Sequence, residues 1–411
     1  MKSDPQPVGP AREATADRLF LAGCFPQAVA IYQKVLEHEP GRLDIRARLG
    51  RLALFQNDPG QAVTHLASVL NNGLRSRVHW GMLADAYLAK GEQGSAALCY
   101  ENAGRTALAG TLAVLNNREL CRIEGASGAC EFEWLSESPL PLIQAEINGI
   151  PLNLLVDTAA GDLVLDEKAA IAAGIPHGGR ETRYFAGGLP ALVTYGHVEN
   201  LQLGSLAVHD LLTQILDLQA RFSGYSPLLP VHGIVGIALL SRFLTVLDFD
   251  RRVLRLDRQP QRLHPGQAGA ALGEFPFWIV DNHFPVVRVE APDTESGMWV
   301  IDSGMAGAAF AIDSSAEAAG LASRAGEAEA GVGGGGAVQG ERLILPSLRL
   351  GPLIRRNVEG IALEKFPLQD RFGFRTIGLL GCEFFHGAVM ALNFSSMTIA
   401  LSQPESGPRT A

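Results

Sequence analysis

The second half of this sequence repeats itself at an offset of 145 residues. One apolar run ends in Asp157 and another ends in Asp302, 145 residues later. Each aspartate is followed by a hydroxyl residue and then by small residues, in LVDTAA and VIDSGM. The later stretches GIVGIALL and GLLGCEFF begin at Gly233 and Gly378, again 145 residues apart. Several landmarks at one offset predict two related lobes in tandem.

The residues around both aspartates have the pattern of β-strands. Their apolar runs are short, β-branched and punctuated by Gly and Pro, which is typical of all-β regions. The Asn-Gly pair at 148–149 predicts a hairpin between two such runs. A carboxylate directly after the run that ends at Val156 is costly to bury unless it is paired or protonated. Two duplicated lobes would pair Asp157 with Asp302 on a pseudo-twofold axis.

Two carboxyl groups that meet on such an axis have a defined chemistry. Carboxylates about 3 Å apart cannot both ionise readily, so they share a proton. One carboxylate can accept a proton from water while the other carboxyl group donates one to a carbonyl oxygen. This hydrolyses a bond without a metal or a covalent intermediate. Asp157 and Asp302 are therefore the candidate catalytic residues, and we expect no metal and no cofactor.

These motifs resemble the signature of the aspartic protease family in its two-lobed form, pepsin-like or duplicated retropepsin-like. That signature is an apolar strand followed by Asp-Thr/Ser-Gly, with two apolar residues and a Gly later in each lobe. VIDSG at 300–304 is similar to it throughout, and LVDTA at 155–159 departs from it at Ala159. The resemblance implies an acid-protease fold with one lobe at 137–258 and a second at 272–404.

The resemblance also implies roles for individual residues. Asp157 and Asp302 would form the catalytic pair of an endopeptidase. The residues that would support the two active-site loops are Thr158, Ala159, Ser303 and Gly304. The family also closes a hairpin flap over its substrate, and Gly-rich tips between strands are natural hinges. The candidate flap residues are Gly187, Gly188, Gly334 and Gly335, with Tyr184 and Tyr195 either as flap aromatics or as ordinary strand residues.

Two departures from the family pattern keep other functions open. A methyl group at Ala159 is tolerated at negative φ but costs about 1–2 kcal/mol at positive φ. Met305 stands where a small residue is commoner, so it would occlude the cleft or shape a pocket. The alternatives to an endopeptidase are a protease-like module that binds peptides or proteins without cutting, and a repurposed acid-base enzyme acting on a small molecule. The presence of both aspartates and both hydroxyls favours the two enzymatic functions over the binding module.

The N-terminal part of the chain has a different period, of 34 residues. Positions that share it are Gly23, Asn57 and Gly91; Ala28, Ala62 and Ala96; Tyr32, Leu66 and Tyr100. This pattern resembles the tetratricopeptide repeat, a helix-turn-helix unit. We predict helical repeats over 12–125 and a linker at 126–136. Such arrays usually hold a protein or peptide, although they can be purely structural. The fold class is thus an α-helical repeat followed by a two-lobed all-β acid-protease fold.

The composition of the chain indicates which classes of partner and which cellular compartment to expect. A net charge of -9 argues against a nucleic-acid binder. No apolar segment is long enough for a membrane span, and the first residues lack the apolar core of a signal peptide. The five cysteines are odd in number and widely spaced, which favours reduced thiols in a cytoplasm. We therefore expect a cytoplasmic protein with a peptide or protein substrate, and a possible protein partner on the helical repeats.

Overall fold

The computed structural model describes residues 10–125, 129–134, 140–184, 190–221, 230–258, 271–290, 296–313, 323–333, 336–363 and 369–402. They divide into two compact units. The helical unit is Met1–Asn116 together with Gln369–Arg375, and the β unit is Asn117–Leu368 together with Thr376–Ala411. Helices followed by a β-rich region confirm the predicted fold class. Within the described residues, no helix is long and apolar enough to cross a membrane.

The helices of the first unit follow the predicted repeat. They are α1 (Pro10–Leu21), α2 (Phe25–His38), α3 (Leu43–Phe55), α4 (Pro59–Asn71), α5 (Arg77–Ala89), α6 (Gln93–Ala103) and α7 (Thr106–Val114). The starts of α2, α4 and α6 are 34 residues apart. Just before them, positive φ angles of 70°, 54° and 75° occur at Gly23, Asn57 and Gly91, as is common where a helix ends.

Small residues at the repeat positions set the packing of these helices. Ala28, Ala62 and Ala96 are each 0% exposed, as expected of small residues at which helices pack closely. The residues four positions later in each repeat are also buried; they are Tyr32, Leu66 and Tyr100. The sequence period of 34 therefore arises from one packing arrangement used repeatedly, as expected of a tetratricopeptide-like array.

The first half of the β unit contains short strands and short helices. Its strands are β1 (Arg122–Gly125), β2 (Ala129–Glu133), β3 (Leu142–Ile147), β4 (Ile150–Val156), β5 (Leu163–Asp166), β6 (His177–Tyr184), β7 (Pro190–Leu203), β8 (Leu206–Leu216), β9 (Gly233–Val235), β10 (Leu244–Asp248) and β11 (Val253–Asp257). Its helices are α8 (Glu167–Ala172), α9 (Leu218–Arg221) and α10 (Ile237–Leu240).

The second half has the same character. Its strands are β12 (Ala271–Pro276), β13 (Trp278–Val280), β14 (Phe284–Val289), β15 (Gly297–Ile301), β16 (Ala309–Asp313), β17 (Ser323–Gly333), β18 (Gly336–Leu350), β19 (Leu353–Leu363), β20 (Thr376–Leu380), β21 (Val389–Asn393) and β22 (Thr398–Ser402). A 3-10 helix, η1, spans Cys382–Phe385, and the helix α11 (Gln369–Phe372) lies in the segment that belongs to the helical unit.

Each half forms its own sheet, and both halves contribute to a third. Lobe 1 has the strand order β1-β8-β5-β9-β4-β3-β7-β6, and an additional pairing of β8 with β7 closes it into a barrel. Lobe 2 has the order β13-β14-β15-β20-β16-β19-β18-β17. The sheet β12-β22-β21-β10-β11-β2 takes strands from both halves. One hydrophobic core runs through lobe 1, lobe 2 and this shared sheet.

The strand registers reproduce the offset of 145. In lobe 1, β4 and β9 are parallel with Val156 opposite Val235, and in lobe 2, β15 and β20 are parallel with Ile301 opposite Leu380. The antiparallel strands β10 and β21 are themselves copies of each other, and Val246 pairs with its own counterpart at 391. The duplication seen in the sequence is therefore a pseudo-twofold relation in space.

Asp248 and its counterpart Asn393 have the same structural role. Asp248 Oδ1 accepts hydrogen bonds from the N–H groups of Asp250 and Arg251. Asn393 Oδ1 accepts bonds from the N–H groups two and three residues later. Because an amide oxygen makes the same contacts as a carboxylate, a negative charge at this position is not required.

The boundary between helices and strands differs from the prediction. The helical segment was predicted over 12–125, but β1 pairs with β8 and is part of the β unit. The predicted linker at 126–136 contains β2, which pairs with β11 at the edge of the shared sheet. Both strands are short, at 4 and 5 residues. Their pairing depends on strands more than 70 residues later in the chain.

Candidate active site

Asp157 and Asp302 occupy equivalent positions at the ends of two central strands. Asp157 follows β4 and donates its N–H to the carbonyl of Val235, at 3.0 Å. Asp302 follows β15 and donates its N–H to the carbonyl of Leu380, at 2.9 Å. Both side chains are half-buried. Each carboxyl group shifts the pKa of the other, so the structure brings together the two residues that the sequence paired.

The residues that follow the aspartates bind the two loops to each other. Thr158 N–H donates to Ser303 Oγ, and Ser303 N–H donates to Thr158 Oγ1, both at 3.0 Å. The hydroxyls in turn donate to carbonyls of the opposite strand ends, Thr158 to Ile301 at 3.0 Å and Ser303 to Val156 at 2.8 Å. Both side chains are buried, at 0% and 2% exposure. These four bonds fix the position of one aspartate relative to the other.

The two carboxyl groups differ in the backbone bonds that they accept. Asp157 Oδ1 accepts from the N–H groups of Ala159 at 2.7 Å and Ala160 at 3.1 Å. Asp302 Oδ1 accepts from the N–H of Gly304 at 2.9 Å. Bonds from N–H donors stabilise the ionised form of a carboxyl group. Asp157 is therefore the better placed of the two to carry the negative charge.

The pKa values of the pair follow from burial and from this asymmetry. Burial raises the pKa of Asp157, and the N–H bonds from the following alanines oppose that rise. Burial raises the pKa of Asp302 well above its ordinary value, and the negative charge of Asp157 raises it further. Both pKa values are raised, and that of Asp302 more strongly, so Asp302 is the better placed of the two to hold a shared proton.

Ala159, the departure from the family signature, is not strained. Its φ angle is not positive, so its methyl group causes no strain of the kind that a left-handed backbone would impose. Gly304 occupies the equivalent position in lobe 2 and also has no positive φ. There, however, an added Cβ would lie 2.5 Å from Asp157 Cγ. Glycine is needed at 304 because of this close approach to a carboxylate, not because of its backbone angles.

Two further glycines and Met305 complete the loops. An ideal Cβ at Gly236 would lie 2.5 Å from the carbonyl oxygen of Ala160, and one at Gly381 would lie 2.3 Å from that of Gly307. The glycine that closes each lobe's signature thus makes room for the aspartate loop of the same lobe. The Met305 methyl group lies 2.6 Å from the Cβ position at Gly381. The side chain of Met305 is accordingly packed against this glycine.

Two residues near the pair were not assigned a role from the sequence. The buried Cys382 thiol donates to the carbonyl of Ser303 at 3.1 Å, and burial raises its pKa. His283 of lobe 2 lies 3.5 Å from the Cβ position of Gly161, close to the Asp157 loop. Burial lowers the pKa of His283 to about 4, so its ring is neutral at physiological pH. No sequence spacing links either residue to the aspartates.

The flap candidates are only partly covered by the structure. Gly187 and Gly188 lie between the paired strands β6 and β7, and Gly334 and Gly335 lie between β17 and β18; all four are outside the described residues. Tyr195 is 1% exposed and donates its hydroxyl to Glu181 at 2.6 Å. It is a buried strand residue of lobe 1. Where side chains are described, no three His, Cys, Asp or Glu groups are placed to hold a metal ion.

Comparison with known families agrees with this geometry. Residues 143–242 match the family of gag-polyprotein putative aspartyl proteases. That range contains Asp157, Thr158 and the Ile-Val-Gly of lobe 1. Residues 19–85 match the tetratricopeptide repeat family. The two resemblances identified in the sequence are thereby confirmed, one for the protease-like domain and one for the repeats. A search of curated proteins finds no match to this chain.

Proposed function

We propose that this protein is an aspartic endopeptidase in which Asp157 and Asp302 activate a water molecule to hydrolyse peptide bonds. The observation that carries the proposal is the pair of half-buried carboxyl groups that Thr158 and Ser303 hold together. A binding module has no need of two partly buried carboxyl groups beside each other, since burying them opposes folding. The match of residues 143–242 to an aspartyl protease family also supports it.

The asymmetry of the pair assigns the two roles. Ionised Asp157 accepts a proton from the water, whose oxygen attacks the carbonyl carbon of the peptide bond. Protonated Asp302 donates its proton to the carbonyl oxygen, which gives a tetrahedral diol. Asp157 then returns a proton to the amide nitrogen as the C–N bond breaks. One hydroxyl proton passes back to Asp302 as the new carboxyl group forms, and the pair is restored.

The helical repeats have a supporting role in the proposal. Tetratricopeptide arrays generally hold proteins or peptides, so we propose that they recruit a protein or peptide to the protease domain. Exposed apolar side chains on these helices, Val78 and Leu98 at 69% and 65% exposure, supply contact area for such a partner.

Incubation with a mixed peptide library, followed by mass spectrometry, tests the proposed reaction. New peptide termini in the presence of the wild-type chain are the expected result. Peptides that are retained on the protein without being cut would indicate the binding module instead. A library that is neither cut nor retained would contradict both, and would direct the search to small molecules with a hydrolysable or protonatable carbonyl group.

A further inference from the structure

A segment of lobe 2 is buried in the helical unit. Residues 369–375 lie between β19 and β20 in the chain, yet they belong to the same compact unit as α1–α7. The rings of Phe372 and Phe374 are 0% exposed. The Phe374 ring lies 5.0 Å from Phe25 and 6.1 Å from Phe55, with nearly perpendicular ring planes. Such edge-to-face aromatic contacts stabilise beyond the area that they bury.

Arg51 of α3 binds the backbone of the same segment. Its Nη2 donates to the carbonyl of Phe372 at 2.7 Å and to that of Arg371 at 3.0 Å. Both carbonyls lie at the C-terminal end of α11. The Arg51 guanidinium also lies over the ring of Phe55, at 5.3 Å. Arg51 thus combines directional hydrogen bonds with an aromatic contact.

The attachment continues directly into the candidate active site. Arg375 donates its N–H to the carbonyl of Leu21 in α1, at 3.1 Å. The next residue, Thr376, begins β20, which is buried throughout and pairs in parallel with β15. At the far end of β20, the carbonyl of Leu380 accepts the N–H of Asp302. One short strand therefore joins the contacts in the helical unit to the loop that holds Asp302.

At the equivalent position, the described residues of lobe 1 are bonded to their own lobe. The counterpart of Arg375, by the offset of 145, is Pro230, whose carbonyl accepts a hydrogen bond from the Asn153 side chain at 3.2 Å. His232, just before β9, exchanges bonds with the backbone of Asn153 at 2.9 and 3.0 Å. Lobe 1 thus fixes the start of its own strand, while in lobe 2 the same point is bonded to the helical unit.

From this asymmetry we infer that the helical repeats position Asp302: Arg51 and the aromatic cluster of Phe25, Phe55 and Phe374 fix the start of β20, and β20 fixes the Asp302 loop. Arg51 and Phe374 are then positioning residues for the proposed hydrolysis, on which this inference rests. The repeats use this part of their surface for a segment of their own chain, and not for a separate partner.

The variant Arg51→Ala tests the inference, with Arg48→Ala as a matched control. Both arginines lie on α3 and each guanidinium stacks over an aromatic ring, but Arg48 lies over Tyr32 and pairs with Asp17. Phe374→Leu is the second variant, because it keeps an apolar side chain and removes the aromatic contacts. The measurements on the full chain are amide hydrogen exchange over residues 371–380 and 302–305, together with kcat and KM for a cleaved peptide.

We expect Arg51→Ala to accelerate exchange in both stretches and to lower kcat by roughly tenfold or more, because misplacement of a catalytic group by about 1 Å can cost 10²-fold. KM should stay within about twofold, since the substrate contacts are unchanged. Phe374→Leu should act in the same direction and Arg48→Ala should match wild type. Wild-type exchange at 302–305 in both Arg51→Ala and Phe374→Leu would overturn the inference. Exchange decides this even if the wild-type chain cuts no peptide.

Discussion

Thr158 and Ser303 each accept the other's backbone N–H on a side-chain hydroxyl, at 3.0 Å in both directions. Residues from two lobes, 145 positions apart, thus form one closed set of bonds beneath the aspartates. Each hydroxyl also donates to a carbonyl at the opposite strand end. Because all of these groups are buried, none can exchange its partner for water. The relative position of the two lobes at the site depends on these two side chains.

Replacing Thr158 by Val should therefore destabilise the chain and abolish cleavage. The variant keeps the shape of the side chain but leaves the Ser303 N–H and the Ile301 carbonyl without their partner. Each buried unsatisfied group costs about 1–3 kcal/mol, so the free energy of unfolding should fall by about 2–4 kcal/mol. Urea denaturation measures this. Thr158→Ser retains the hydroxyl and should lose only about 1 kcal/mol; an equal loss in both variants would contradict the role of the bonds.

The two loop positions after the hydroxyl residues should respond oppositely to a change of one methyl group. In Gly304→Ala the new methyl would overlap the Asp157 carboxyl group, at 2.5 Å from Cγ. We expect kcat to fall by about 10²-fold or more, since the pair is displaced. Ala159→Gly removes a methyl at a position without positive φ. It should retain activity and lose about 0.4–1 kcal/mol of stability through the freer unfolded chain. Comparable activity in the two variants would disprove the steric argument.

The pH dependence of cleavage should be bell-shaped. In the proposed mechanism the active form holds one proton, on Asp302, with Asp157 ionised. Activity should therefore be lost at low pH as Asp157 is protonated, and at high pH as Asp302 loses its proton. Because the pKa of Asp302 is raised well above its ordinary value, the alkaline limb should lie far above the usual range of a carboxyl group. A profile of kcat/KM reports these limbs for the free enzyme. Activity that rises monotonically toward alkaline pH would not fit a shared proton.

Asp302→Asn should stabilise the chain at neutral pH while it removes activity. A carboxyl group with a higher pKa in the folded than in the unfolded chain favours folding at low pH, and this advantage is lost as the pH rises through the folded-state pKa. The variant has no such loss. Its gain should be about 1.4 kcal/mol for each unit by which the pKa is raised, and should vanish in acid. Thermal unfolding across pH checks this.

The control for that experiment is Asp248→Asn. Asp248 accepts two backbone N–H bonds, and Asn393 makes the same contacts at the equivalent position of lobe 2. This substitution should leave the unfolding midpoint close to that of wild type at every pH. If it stabilised the chain as strongly as Asp302→Asn, the effect would reflect general negative charge and not the buried pair.

Much of this fold could be predicted because the sequence contains internal repeats, and each repeat marks a unit that folds in the same way. The offset of 145 between Asp157 and Asp302 identified both lobes, and the period of 34 identified the helical repeats. Both patterns arise from packing that is repeated with little change. In contrast, β1 and β2 pair with strands distant in the chain, and nothing in their own short sequences specifies those partners. For this reason the predicted helical segment extends past α7 into β1, and the predicted linker covers β2.

Within the site, the sequence indicated the two aspartates but not the difference in the hydrogen bonds that they accept. Asp157 and Asp302 have matching neighbours, and only the structure shows that Ala160 adds a second N–H bond to Asp157. The sequence likewise raised the question of Ala159, which depends on a backbone angle that no local pattern determines. The contacts of Arg51 with residues 371–372 join positions that no period or motif connects. Such contacts are set by tertiary packing alone.

The most direct test of the central claim is peptide cleavage by the wild-type chain beside Asp157→Asn and Asp302→Asn, from about pH 3 to about pH 8. All three chains should be folded, as circular dichroism can establish. Wild type should cut, and each single substitution should abolish cutting at every pH, because both carboxyl groups take part in the proposed proton transfers. Cleavage by either variant at a rate near that of wild type would contradict it.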